Sequence, residues 1–209
     1  MLIPYLAAPA LLLGYGLVRL LDGLDGSHGP GIAWTIGHLL FLAALVLFGV
    51  VMVGLTRVAS RLRLARTVAL VAGLIGLIAF VRVVVVDLIV GIQATDRAGM
   101  NRLYQRYEDF PGLPGGFTGV LDEFGAMLFP LGLLALAVLA ATVRPRRLPW
   151  WSPVLAAVGF VLITVDLDLL PLGGAALLIA LLPMTRQRPA PTGGPVTTRP
   201  GRPWCRSAR

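Results

Sequence analysis

Three carboxylic acids lie in or beside long apolar stretches of this chain: Asp87 within 67–91, and Asp166 and Asp168 near the end of 150–170. A charged side chain at mid-bilayer costs roughly 2.5–3.5 kcal/mol on insertion scales, so such groups face a bundle interior and find partners there. Asp166 and Asp168 flank Leu167 shortly before Pro171, Gly173 and Gly174. On a regular helix they point about 200° apart, whereas a helix that frays at Pro171 brings both to one cavity. Two carboxyl groups in one apolar site do not both ionise easily, which leaves one as a proton donor. The alternative is an interfacial loop in which both are hydrated.

Arg82 precedes Asp87 by five residues, about 140° around a helix, so the two do not share a face and each expects a partner on another helix. An Arg82 ion pair that only locks the bundle is an equal reading. His38, Asp122 and Glu123 fall at the same level by topology, and the last two also suit the first turn of a helix as charges on its dipole. The candidate acids are thus Asp87, Asp166, Asp168 and Glu123. The candidate substrate-contacting groups are Arg82, His38, Tyr104, Tyr107 and Phe124. No metal or other cofactor is expected, because the other imidazole is His28 in a loop and the lone Cys205 lies in the tail. Phosphate-loop, dinucleotide, Ser-His-Asp and zinc-protease patterns are missing too.

Positioning these groups is the task of the apolar stretches. The chain is 57% hydrophobic and 13% charged with mean hydropathy +0.84, outside the range of a soluble domain of this length. Roughly 20 apolar residues cross the hydrocarbon core as a helix that satisfies its own backbone. Six such runs are expected, at 2–21, 32–55, 67–91, 120–143, 150–170 and 172–184. The first lacks the positive flank of a signal peptide and reads as a retained span. The last is short, and either crosses with help from Leu169 and Leu170 or re-enters after five spans. Within the connection 92–119 an interfacial helix is expected over 95–107, before Pro111 and Pro114.

All ten acidic residues lie in or beside three connections, while thirteen of the eighteen Arg lie in the others and in the tail. Cationic loops stay on the cytoplasmic face, so six spans put both termini inside. Five would leave the tail outside, against that bias. The net charge of +8 is placed for anionic headgroups rather than nucleic acid. The expected organisation is an all-α transmembrane bundle over 1–184 and a disordered Arg/Pro-rich cytoplasmic tail over 185–209. A parallel repeat of two hairpins, 38–91 and 125–174, is a further expectation, since Arg66 to Asp87 and Arg147 to Asp168 both span 21 positions. It sets Asp87, Asp166 and Asp168 at similar depths near the outer leaflet. Gly73, Gly76, Gly49 and Gly54 read as points of close helix packing.

Three classes of function fit: a membrane-embedded enzyme with a lipophilic substrate, a small proton- or cation-coupled transporter, and a non-catalytic subunit of a membrane complex. The dry centres of spans two to four and the lack of an inverted repeat weigh against conduction. In span count and size the chain resembles the small membrane-integral terpene cyclases, and more broadly small polytopic membrane proteins of high-GC bacteria, which imply no activity. Asp166-Leu167-Asp168-Leu169 looks like a truncated DxDD motif of soluble class II cyclases, with Leu169 where that motif has its last Asp. The resemblance implies a lyase or isomerase of the bacterial inner membrane, in which one acid protonates an alkene or epoxide of a prenyl chain and aromatic faces stabilise the cation. Its partners would be membrane lipid and a lipophilic small molecule, and a homo-oligomer or a membrane partner is equally compatible.

Overall fold

A run of Leu, Val, Ala and Ile that meets no water closes its N–H and C=O groups along its own axis. The computed structural model describes residues 3–25, 29–58, 62–108, 125–142 and 148–186. They form α1 (Ile3–Asp22), α2 (Ile32–Val58), α3 (Arg63–Gln93), α4 (Arg97–Glu108), α5 (Ala126–Thr142), α6 (Trp151–Val165) and α7 (Leu170–Leu181). Turns of 3-10 helix occupy Gly23–Asp25, Leu167–Leu169 and Leu182–Arg186. No strand occurs among the described residues. α1, α2, α3 and the segment Leu167–Arg186 are long and apolar enough to cross a membrane, and α5 and α6 are shorter apolar helices. The described residues are all-α, and their long apolar helices are compatible with an integral membrane protein.

α1 packs between α2 and α7, α3 between α2 and α5, and α6 between α5 and α7, so six helices close a ring, with α4 laid against α3. Neighbours run antiparallel. Gly37 faces Tyr15 whereas Gly54 faces Tyr5, and Gly91 faces Trp34 whereas Gly49 faces Leu77. The alternation gathers Asp22, Asp87, Asp96, Asp166 and Asp168 at one end of the ring and Arg57, Arg63, Arg66 and Arg186 at the other. The segregation of charge seen along the chain is therefore a segregation in space.

In a bilayer, helices this apolar would gain nothing from hiding one greasy face from lipid, which leaves shape to decide the packing. α3 and α5 meet backbone to backbone at Gly73, Gly76 and Gly132: a Cβ on Gly132 would sit 2.5 Å from Gly73 Cα and 2.7 Å from Ala69 O. The expected role of Gly73 and Gly76 is met here.

α4 begins where an acid caps it, the Asp96 side chain accepting from the Gly99 amide, close to the expected 95–107. The far end of the ring departs from expectation. α6 stops at Val165 rather than near residue 170, because Asp166 is extended (φ −154°, ψ 128°). Pro171 does not fray that helix. It stands in the first turn of α7, where a missing N–H leaves nothing unpaired. The sixth apolar run consequently starts earlier than 172 and reaches a span's length from Leu167 to Arg186. The first two residues of the expected tail, Thr185 and Arg186, belong to the last 3-10 turn, and its remainder, the turn 143–147 and most of the connection after α4 lie outside the described residues.

Candidate functional site

α2 places Trp34 and His38 one turn apart at its acidic end, opposite Asp87 on α3. His38 Nδ1 is 2.8 Å from the Trp34 carbonyl oxygen. A carbonyl only accepts, so Nδ1 carries a hydrogen and Nε2 is the nitrogen that looks toward the carboxyl. Nε2 lies 3.6 Å from Asp87 Oδ2. The other oxygen, Oδ1, accepts from the Tyr104 hydroxyl of α4 at 2.7 Å. Trp34 Nε1 in turn donates to the Asp87 main-chain carbonyl at 3.0 Å. Each oxygen of the carboxyl thus faces a group that carries or exchanges a proton.

The imidazole is 7% exposed. Trp34 stacks on it with ring centroids 4.3 Å apart, and Tyr15 of α1 meets it edge-on at 5.5 Å. Tyr104, outside the apolar ring, has its phenol pushed above the ordinary tyrosine range. Burial is the main cause, followed by its hydrogen bond to Asp87 and the charge of that group. It therefore remains a donor.

From this cluster a cavity of about 270 Å³ runs into the ring. Tyr15, Phe41, Phe80, Phe129 and Phe160, from five different helices, line it together with aliphatic side chains, and Asp87 is the one carboxylate among its described lining residues. The aromatics touch in series: Phe41 stacks on Tyr15 at 4.8 Å, then Phe80, Phe129 and Phe160 follow edge to face at 5.8–6.1 Å. Apart from Asp87 and Thr164, the lining is apolar or aromatic. The cavity's size falls just under the roughly 300–1,000 Å³ that suits drug-sized ligands.

Of the residues singled out from the sequence, Asp87, His38 and Tyr104 come together. Each partner of Asp87 belongs to another helix, as its position required. Arg82 is half-buried on α3 and Tyr107 half-buried on α4. Asp166 and Asp168 do not form the expected shared apolar site. Both are exposed. Asp166 spends its carboxylate as a cap, accepting from the Asp168 amide at 2.9 Å, and Asp168 reaches Arg19 Nε at 3.7 Å. The physical reason is the position of the helix break, which falls on Asp166 itself. Glu123 and Phe124, with Asp122, lie outside the described residues.

Sequence reasoning missed Tyr15, Arg19, Trp34 and the run of phenylalanines. One signal was available: Trp34 and His38, like Tyr15 and Arg19, stand at i, i+4 and share a face. The phenylalanines come from separate helices with no common spacing. Compared with protein-family models, curated proteins and solved structures, the chain finds no match.

Proposed function

We propose that the chain is an integral membrane protein of six spans with both termini cytoplasmic, and that its cavity holds a lipophilic, isoprenoid-type molecule to which Asp87 donates a proton. One observation carries this reading: Asp87, the one carboxylate among the described lining residues, opens onto an apolar, aromatic-lined cavity with the Tyr104 hydroxyl bonded to one oxygen and His38 Nε2 3.6 Å from the other. Such a group can do acid chemistry on a substrate that has no polar handle of its own.

The step balances without a co-reactant. The Asp87 proton passes to one carbon of an alkene, whose π pair forms the new C–H bond and leaves a carbocation. A second double bond of the same chain attacks that cation and closes a ring. Loss of a proton from the cyclised cation to the Asp87 carboxylate restores the acid, so the net change is an isomerisation. The aromatic walls stabilise the cation through their quadrupoles, and exclusion of water prevents its capture. His38 Nε2 stands 3.6 Å from Oδ2 and helps to orient the carboxyl toward the cavity.

Membranes carrying the wild-type chain or single variants, incubated with prenylated substrates, test it by mass spectrometry. A product of unchanged mass and new retention time is expected. General-acid loss in Asp87→Asn should lower it by roughly 10²–10⁴-fold, while Asp166→Asn and Asp168→Asn retain it. Full product from Asp87→Asn removes the proposal. Proton-coupled transport would use the same His38, Asp87 and Tyr104, and solute uptake driven by a pH gradient in proteoliposomes would replace catalysis with it.

A further inference from the structure

Next to two residues of the cavity wall, Leu167 and Tyr15, stands an ion pair that the acid chemistry leaves unused. The turn Leu167–Leu169 presents Leu167 to the cavity and the Asp168 carboxylate to Arg19. Arg19 follows Tyr15 by one turn of α1, and the Tyr15 ring divides the cavity from a small recess lined by Arg19, Asp22, Trp34 and His38. The pair is loose. Its closest approach is 3.7 Å, with the Asp168 side chain 58% exposed and that of Arg19 21%. The guanidinium hydrogen-bonds the Tyr15 hydroxyl, but its Nε is buried and has no hydrogen-bond partner. A buried guanidinium N–H without an acceptor is costly, and the guanidinium fork matches the oxygens of a carboxylate or a phosphate.

Resting on the cavity reading above, we propose that the ligand is an amphiphile whose anionic head group displaces Asp168 from Arg19 while its tail passes Tyr15 and Leu167 into the aromatic cavity. Asp22 on the same recess opposes negative charge. A head of low charge, a carboxylate or a phosphate monoester, fits better than a diphosphate. The head then anchors at the acidic end of the ring, and the tail lies against Asp87.

Calorimetry on the full-length protein in nonionic detergent tests this with farnesol, farnesoic acid, farnesyl monophosphate and inorganic phosphate. The two acids should bind about tenfold tighter than the alcohol, the affinity ratio of one charge-assisted contact. Arg19→Gln should bring all three to about the same affinity, and Asp168→Asn should tighten the acids about twofold while leaving the alcohol unchanged. Inorganic phosphate should neither bind nor compete. Equal affinities in the wild type, or a preference for the acids that survives Arg19→Gln, overturn the proposal. So does full competition by inorganic phosphate, which would mark a free-anion site. If Arg19→Gln fails to fold, Asp168→Asn decides, and acids no tighter in that variant count against it. Farnesol binding that is lost on Ala126→Trp tests the cavity by itself: bound alcohol without head-group preference sinks this inference alone, and no binding of any probe sinks both.

Discussion

Tyr104, on a helix too polar to cross a membrane, donates its hydroxyl to Asp87 Oδ1 at 2.7 Å, so a carboxyl inside the apolar ring is held from outside it. α4 has only 12 residues and exposes Arg97, Asn101, Arg102, Gln105 and Arg106, with Met100 buried beneath. A helix that short is marginal alone. Its attachment to the ring and the orientation of the acid are therefore one event, with His38 Nε2 of α2 3.6 Å from the second oxygen.

Tyr104→Phe should loosen both. Loss of the hydrogen bond leaves Oδ1 without its donor and costs about 0.5–1.5 kcal/mol. Faster amide exchange across residues 97–108 and a lower thermal midpoint in detergent are the readouts. Unchanged protection of α4 would mean that the hydroxyl does not tether it.

The same hydroxyl makes a pH prediction. Its folded-state value is raised, chiefly by burial and then by Asp87, so its contribution to stability is complete below the ordinary tyrosine value, about 10. That contribution is lost only as pH rises through the higher folded-state value. The wild-type minus Tyr104→Phe difference in phenolate absorbance should thus appear above the pH at which an ordinary tyrosine ionises. A difference band centred near pH 10 would contradict the buried donor.

Close contact between α3 and α5 predicts a steep response at Gly132. A side chain there meets Gly73 Cα and Ala69 O, backbone atoms that cannot turn aside. Gly132→Val should cost about 1–3 kcal/mol or more through overpacking, measured by denaturant unfolding in mixed micelles. Gly31→Ala, where an added Cβ meets nothing within 4 Å, should stay within about 0.5 kcal/mol. Similar losses at both sites would refute the backbone crossing.

Which features were legible in the chain follows from what each one depends on. Lipid forces long apolar helices and a bias in loop charge, so α2, α3 and the two charged ends could be read directly. The amphipathic stretch before Pro111 and Pro114 gave the place of α4, while its cap at Asp96 was not read. The break between α6 and α7 was misread because Pro171 is compatible both with ending a helix and with opening one, and the local choice of Asp166 as a cap decides between them. The polar half of the site was visible because His38 and Asp87 are out of place in apolar runs. The apolar half was not, since helices that are greasy all round carry no periodic mark of which Phe faces the interior.

Gly91 supplies the last test of how Asp87 is held. It stands one turn after Asp87, and the Trp34 indole lies directly on it, so that an added Cβ would overlap Trp34 Cδ1. Gly91→Ala should expel the indole, break its bond to the Asp87 carbonyl and remove the ring stacked on His38. In a background with Trp150, Trp151 and Trp204 changed to Phe, Trp34 emission should shift to the red. The stability loss should be about 1–3 kcal/mol. Trp34→Phe removes only the N–H donor and part of the ring, and should cost less, near the ~0.6 kcal/mol average for a hydrogen bond between membrane helices. Substrate conversion should fall in both, further in Gly91→Ala, because there His38 also loses its stacked neighbour and with it the geometry that points Nε2 at Oδ2. Wild-type emission in Gly91→Ala would show that the indole does not rest on α3.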